Sequence, residues 1–300
     1  MSKNQSVYDR IVSIEHVDIL SVQGMLPYLL QEVDPDRILI YDSIESTNKT
    51  AKEMAVSGAE HGTVLIANYQ TAGRGRKGRS FHSPPDHGLY MSFILHPMRF
   101  CLSTPSLMTA FAAVSVCESI EAISDKTPQI KWVNDVFIDG KKVCGILTEA
   151  VTDTGSDNIH SIIVGIGINF STPAMAFPDD LRHIAGSIFP ADSLSADGPP
   201  ADSPSASKSS AGNPTVTRNL LASEIINRIV APGDQHNEKA MLEKYKHRMF
   251  MLGKTVYVSG TDVEFEAVAV DIDDAGRLIV KRDNGELLSL SSGEISIRET

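Results

Sequence analysis

The chain has 300 residues, room for two domains at about 150 residues each, and its 42% hydrophobic and 22% charged residues suit a sizeable buried core. Its 27 Lys plus Arg against 38 Asp plus Glu leave a formal charge of -11, which excludes the overall positive field of a general nucleic-acid or membrane-surface binder. The start, MSKNQSVYDR, has no apolar signal-peptide core, and no window is an unbroken apolar run of transmembrane length, so a cytoplasmic location is expected.

RILIYD (37 to 42) and TVLIANYQ (63 to 70) are β-branched runs of strand length. Between them STNKTAKEMAVSG has a Ser/Thr start, small and apolar residues at helical spacing and a stop at Gly58. After an N-terminal extension over 1 to 37, the chain therefore opens strand, helix, strand. GLYMSFIL (88 to 95) reads as a strand and PSLMTAFAAVSVCESIEAI (105 to 123) as a long buried helix with Pro105 near its first turn. In IKWVNDVFIDGKKVCGILTEAV (130 to 151), Asp139-Gly140 between two apolar runs marks a tight hairpin, and SIIVGIGINF (161 to 170), apolar on both faces, reads as a central strand. Hairpins beside helices predict an α+β fold, a mixed, mostly antiparallel sheet with packed helices.

Residues 191 to 214 hold one large apolar side chain among Ser, Ala, Asp, Pro and Gly, and are expected to form a disordered insertion. The insertion falls inside a domain over 38 to 250, because TRNLLASEIINRIV (217 to 230) and EKAMLEKYKHRMF (238 to 250) resume amphipathic helices. From 251 to 300, the short runs KTVYV, VEFEAVAVDI, RLIVKR and ELLSLSS between Gly/Asp/Asn turns predict a small barrel-like domain. Cys101, Cys117 and Cys144 match no disulfide framework or zinc spacing and read as reduced core thiols.

The densest chemical signal is Gly73-Arg74-Gly75-Arg76-Lys77-Gly78-Arg79, four cations and three glycines without an acid. Glycines let the backbone approach a ligand closely, and guanidinium forks match phosphate or carboxylate oxygens, so the loop suits polyanions. It also satisfies G-x-G-x-x-G, but SFHSPPDHG follows, whose prolines forbid the helix that a dinucleotide site needs, and no acid stands at the ribose position. Gly253-Lys254-Thr255 ends like a P-loop, yet Arg248 occupies the place of its first glycine. A second constellation is Lys131-Trp132-Val133-Asn134-Asp135, followed after the hairpin by Lys142-Val143-Cys144-Gly145, which the turn can fold onto one pocket.

Together these motifs resemble the biotin protein ligases. The resemblance rests on Tyr69-Gln70 leading into the Gly/Arg loop, KW-x-ND with Lys142 and GIL, Asp42 with Ser46-Thr47-Asn48, Gly165-x-Gly167-x-Asn169, and the closing GEISIR (293 to 298). It implies a catalytic domain like that of class II aminoacyl-tRNA synthetases plus an SH3-like C-terminal barrel. It further implies that biotin and MgATP give biotinyl-5'-AMP and pyrophosphate, and that the adenylate then acylates one lysine of a biotin carboxyl carrier protein, the reaction of a biotin–[acetyl-CoA-carboxylase] ligase.

By the same resemblance Ser46, Thr47, Asn48 and Gln70 contact the biotin ring, with Gly73, Gly75, Gly145 and Gly165 allowing close approach. Arg74, Arg76 and Lys142 meet the biotin carboxylate and the adenylate phosphate. Arg79, Phe81, Lys131, Asn134 and Asn169 fall on the ATP side, and Asp135 orients the incoming lysine. Arg74, Arg76, Lys131, Asp135 and Lys142 are thus the expected catalytic set, with Mg²⁺ required and its ligands unassigned. The family usually has Trp at Phe81 and Pro at Val133. The first 37 residues are too few for the winged-helix domain of repressor relatives, so the ligase-only form without specific DNA or membrane binding is expected, and the oligomeric state is open, a homodimer included. A lipoate ligase with the same adenylate chemistry is the alternative enzyme. An RNA- or carrier-binding module is the non-catalytic rival, but it would not need Lys142, Asp135 and Gln70 together.

Overall fold

The structure, a computed structural model, describes residues 18–97, 105–152, 155, 158–189, 216–231, 237–260, 264–291 and 293–297. The expected insertion over 191–214 and Cys101 lie outside the described residues. Its helices are α1 Val22–Met25, α2 Thr47–Val56, α3 Pro105–Ile123, α4 Arg218–Val230 and α5 Glu238–His247. The larger sheet contains β1 Ile38–Ile44, β2 Thr63–Gln70, β3 Gly88–Leu95, β4 Gln129–Lys131, β5 Asp135–Ile138, β6 Lys141–Thr152 and β7 Ile159–Asn169, in the order β1-β2-β3-β7-β6-β5-β4.

β1 and β2 run parallel because α2 carries the chain back between them. The other pairs are antiparallel, as expected. β7 is the middle strand, which explains apolar residues on both its faces. Alternation sorts the sheet: Val64, Ile66, Phe93, Val164 and Ile166 join the main core, while Leu65, Ile94, Val151 and Ile163 pack on Ala51 and Ala55 of α2.

α3 is apolar nearly all round because it lies between the sheet and α4 and α5. Its stretch Ser106–Ile123, mean hydropathy 1.4, is long and apolar enough to cross a membrane, and is 72% buried inside the protein. Cys117 on α3 and Cys144 on β6 are free and buried, and burial pushes both thiols up. The hairpin turn has positive φ at both Asp139 and Gly140, the I′ geometry that an Asp-Gly pair supplies.

Within the stretch expected as an extension over 1 to 37, the residues from Asp18 onward are tied to α4. Arg218, 2% exposed, binds the Asp18 carboxylate (Nε–Oδ2 3.2 Å), Asn68 Oδ1 (2.7 Å) and the Gly88 carbonyl (3.2 Å). Asn219 accepts from the Ser21 N–H (3.0 Å) and donates to the Ile19 carbonyl (2.8 Å), while Asn227 does the same for Leu30 and Tyr28 (2.9 and 2.8 Å). Side-chain amides of α4 thus satisfy backbone groups of Ile19, Ser21, Tyr28 and Leu30, and Met25 is fully buried in the main core.

The second sheet is β8 Thr255–Ser259, β9 Phe265–Ile272, β10 Leu278–Lys281, β11 Leu287–Leu290 and β12 Glu294–Ile297, antiparallel in the order β11-β10-β9-β8-β12. Burial pushes the Asp273 carboxyl up, but bonds from Arg277, Ser289 and the Ala275 N–H hold it below its usual range. The turn so fixed offers the Gly276 carbonyl to Trp132 Nε1 at 3.0 Å, and Lys246 pairs with Asp271 at 2.6 Å, which seats this sheet against the larger body.

Candidate active site

One cavity of about 430 Å³ opens on the α2 face of the larger sheet, within the usual size of small-molecule sites. Its floor is a patch of sheet without side chains. Gly145 pairs with Gly167 across β6 and β7, and Gly165 pairs with Ser92 of β3. Residues two apart share a face, so Gly165, Gly167 and Gly145 clear the same area. Phe81 and Asn48 stand over it: a Cβ at Gly167 would lie 2.7 Å from Phe81 Cε1, and one at Gly165 would overlap Asn48 Oδ1.

The inner end is built by the start of α2 and the end of β2. Ser46 sits at the N-cap, 1% exposed, without spending its side chain on the cap. The Thr47 N–H and hydroxyl donate to Gln70 Oε1 at 2.9 and 3.1 Å, and Gln70 Nε2 donates to Ser83 Oγ at 2.9 Å. Ser92 Oγ lies 2.8 Å from Thr47 Oγ1 and 2.6 Å from Asn48 Oδ1. These groups are neutral donors and acceptors beside the apolar Met91, Leu147 and Ile166.

The outer end is cationic. The Gly/Arg loop doubles back on itself, with the Gly75 N–H donating to the Arg79 carbonyl (2.7 Å) and the Phe81 N–H to the Gly73 carbonyl (2.9 Å). Arg76 donates to Asn134 Oδ1 (3.0 Å), and Asn134 Nδ2 to the Ile146 carbonyl (2.9 Å). The hairpin brings Lys142 Nζ to 2.6 Å from Asp135 Oδ1, as its turn predicted. Burial lowers the Lys131 pKa; Asp135 works against this and Lys142 adds to it. Six cationic side chains and two carboxylates line the cavity of a chain whose net charge is -11.

The second sheet closes this end. Arg79 reaches Glu294 (2.5 Å), Lys77 donates to the Gly260 carbonyl (3.0 Å), and Gly293 to Ser296 join the lining. The sequence did not mark Glu294, Ser83, Ser92 or Trp132 as site residues; GEISIR and KW-x-ND were visible, but their place at the cavity depends on the tertiary fold. Every expected site residue lines the cavity except Gly73 and Asn169. Gly73 lies behind it, where a Cβ would overlap the Phe81 carbonyl. Asn169, expected on the nucleotide side, stands outside the lining: its Nδ2 donates to the Gly186 carbonyl at 3.0 Å, bracing the segment that carries Ile184 to the lining. Among the described residues no group of three or more His, Cys, Asp or Glu could hold a metal ion.

The arrangement can take a ligand with a neutral polar head and apolar flanks at the inner end and anionic groups at the outer end. Residues 40–169 match the Biotin/lipoate A/B protein ligase family, and 251–298 match the Biotin protein ligase C terminal domain. The "Bifunctional ligase/repressor BirA" of Bacillus spizizenii is 44% identical over 169 residues, 56% of this chain and 51% of that protein, so the chain spans about half of that relative's length. The "Biotin--[acetyl-CoA-carboxylase] ligase" of Mycobacterium tuberculosis is 27% identical over 259 residues, 83% of this chain and 85% of the relative. A solved "Biotin protein ligase from Aquifex aeolicus in complex with biotin and ATP" superposes with a TM-score of 0.67 at 27% identity, covering 88% of this chain and 99% of that one.

Proposed function

Because the chain belongs to the biotin protein ligase family, we propose that it joins biotin to a lysine of a biotin carboxyl carrier protein at the expense of ATP. A biotin carboxylate oxygen attacks the α-phosphorus of MgATP and pyrophosphate leaves. The carrier's lysine amine then attacks the acyl carbon, loses a proton and releases AMP. The observation that carries this reading is the division of the cavity into a neutral inner end and a cationic outer end.

In this reading Ser46, Thr47, Asn48 and Gln70 face the ureido ring, whose N–H and carbonyl groups need neutral partners. Arg74, Arg76 and Lys142 meet the carboxylate and α-phosphate, two anions that repel until preorganised cations screen them. Lys131, Asn134, Arg79 and Phe81 serve the nucleotide, with Phe81 offering an aromatic face without the indole N–H of the more usual Trp. Mg²⁺ enters on the ATP phosphates as part of the substrate, a mode that needs few protein ligands. Asp135 would draw the carrier's ammonium toward the acyl carbon.

The test is incubation with MgATP and either biotin or lipoate, reading the acyl adenylate by mass and the exchange of pyrophosphate into ATP. Biotin-dependent adenylate and exchange are expected. An equal yield with lipoate would overturn the biotin assignment.

A further inference from the structure

The Asn48 amide lines the cavity, yet both of its hydrogens are committed away from it. Nδ2 donates to the Leu147 carbonyl at 3.2 Å and to Glu149 Oε2 at 2.9 Å. Oδ1 stands over the bare Gly165 and accepts from Ser92 Oγ, which leaves one lone pair open. Turning the amide over would set Oδ1 against a carbonyl and a carboxylate at once, two acceptor-to-acceptor contacts, one with a charged group. Glu149 is outside the cavity lining and is itself anchored: its other oxygen takes Lys52 Nζ at 2.7 Å. Lys52 follows Asn48 by four residues on α2, one turn along the same face, so one carboxylate on β6 spans both. Burial pushes Glu149 up, but the bonds from Lys52 and Asn48 prevail and hold it below the usual carboxylate range, so it is charged at neutral pH.

We propose that Glu149, braced by Lys52, is a positioning residue that locks the Asn48 amide with its oxygen toward the ligand, so that the site demands an N–H donor at that point. The proposal rests on biotin being the acid bound, whose ureido ring carries two such N–H groups. A glutamine at 149 would offer either an oxygen or an amino group to Asn48, and the amide could then present either end.

The test uses the full chain and three ligands: biotin and its two cyclic-carbamate analogues, each with one ureido N–H replaced by an ether oxygen. The parent should bind one analogue about tenfold or more weakly than biotin, the usual consequence of facing a buried acceptor with another acceptor. Glu149→Gln should raise the biotin KM about tenfold, leave the ATP KM and the adenylate-forming kcat within about twofold, and cut that discrimination to about twofold. Lys52→Met, a change at the helix surface, should move the same quantities in the same direction by about threefold. Discrimination that persists unchanged in Glu149→Gln, or biotin and ATP KM values that rise together, would overturn the proposal. A parent that binds biotin but treats both analogues like biotin would also overturn it, whereas a parent that binds no biotin would refute the proposed function instead.

Discussion

Gly165→Ala puts a methyl group where Asn48 Oδ1 now sits, with Asn48 Cγ 2.7 Å and Nδ2 2.9 Å from the added carbon. Asn48 must move, and it is a 4% exposed residue bonded to Leu147, Glu149 and Ser92. Losing one neutral bond and one bond to a charged partner costs roughly 2 to 4 kcal/mol. At about 2 to 4 °C per kcal/mol for a chain of this size, Tm should fall by roughly 4 to 16 °C. Gly145→Ala is the matched control, because its Cβ would meet Phe81 Cε2 at 3.2 Å and Lys142 Cε and Nζ at 3.3 and 3.4 Å, atoms on side chains that can shift. That variant should keep Tm within about 2 °C and lose rate in adenylate formation instead. Thermal unfolding by circular dichroism, beside biotin titration, separates the two. A Gly165→Ala protein with parental Tm and parental biotin affinity would show that Asn48 is not held over this glycine.

Arg76→Ala should slow adenylate formation about a hundredfold, near 3 kcal/mol, by analogy with removing one oxyanion donor, read by pyrophosphate exchange. Asp135→Asn should slow transfer from supplied biotinyl-AMP more than it slows adenylate synthesis, although its 2.6 Å pairing with Lys142 means that both fall; transfer at the parental rate would move Asp135 out of the second step. Burial favours the neutral Lys131 amine, so in the folded protein it releases its proton below the ordinary 10.5, and it binds fewer protons folded than unfolded in the window between. Its burial cost is therefore complete below that window and relieved as pH rises through it, and adenylate formation should show an alkaline fall below pH 10.5 that Lys131→Arg removes. Replacing residues 191–214 by a short Gly/Ser linker should preserve activity, since loop closure costs only about 0.6 kcal/mol per doubling of length.

β2 and β3 fall on the residues that their β-branched and apolar runs predicted, because each run is bounded by glycine or turn residues and its side chains enter the core. α5 stops at His247 rather than at 250, where the cap N–H of Arg248 turns back to the Tyr245 and Lys246 carbonyls. β12 was not among the expected strands: it is four residues long, and its alternation of Glu, Ile, Ser, Ile is too short to stand out. The motif residues announced the cavity because their types carry the chemistry whatever the fold. What joins them did not show, since Glu294 meets Arg79 across 215 residues and Asn219 meets Ser21 across 198. Such contacts leave no periodic trace. Asn169 shows a contact of the same kind, its amide bracing Gly186 in a loop seventeen residues on.

The site also shows how an acidic chain can present a cationic cavity to the two anionic substrates of the proposed reaction. Six cations around one cavity repel one another, and burial of Lys131 raises that cost. Asp135 and Glu294 relieve part of it by pairing with Lys142 and Arg79, in pairs of different exposure. The Lys142 and Asp135 side chains are 28% and 22% exposed, so their attraction is only partly screened, and it fixes Lys142 where carboxylate and phosphate would meet. The Arg79 side chain is 70% exposed, so its pairing with Glu294 is weak and readily exchanged for a phosphate. Lys142 is therefore held in place before ligand arrives, while the more exposed Arg79 remains available to a polyphosphate, and the cations gathered at this cavity give an acidic chain a local attraction for anions.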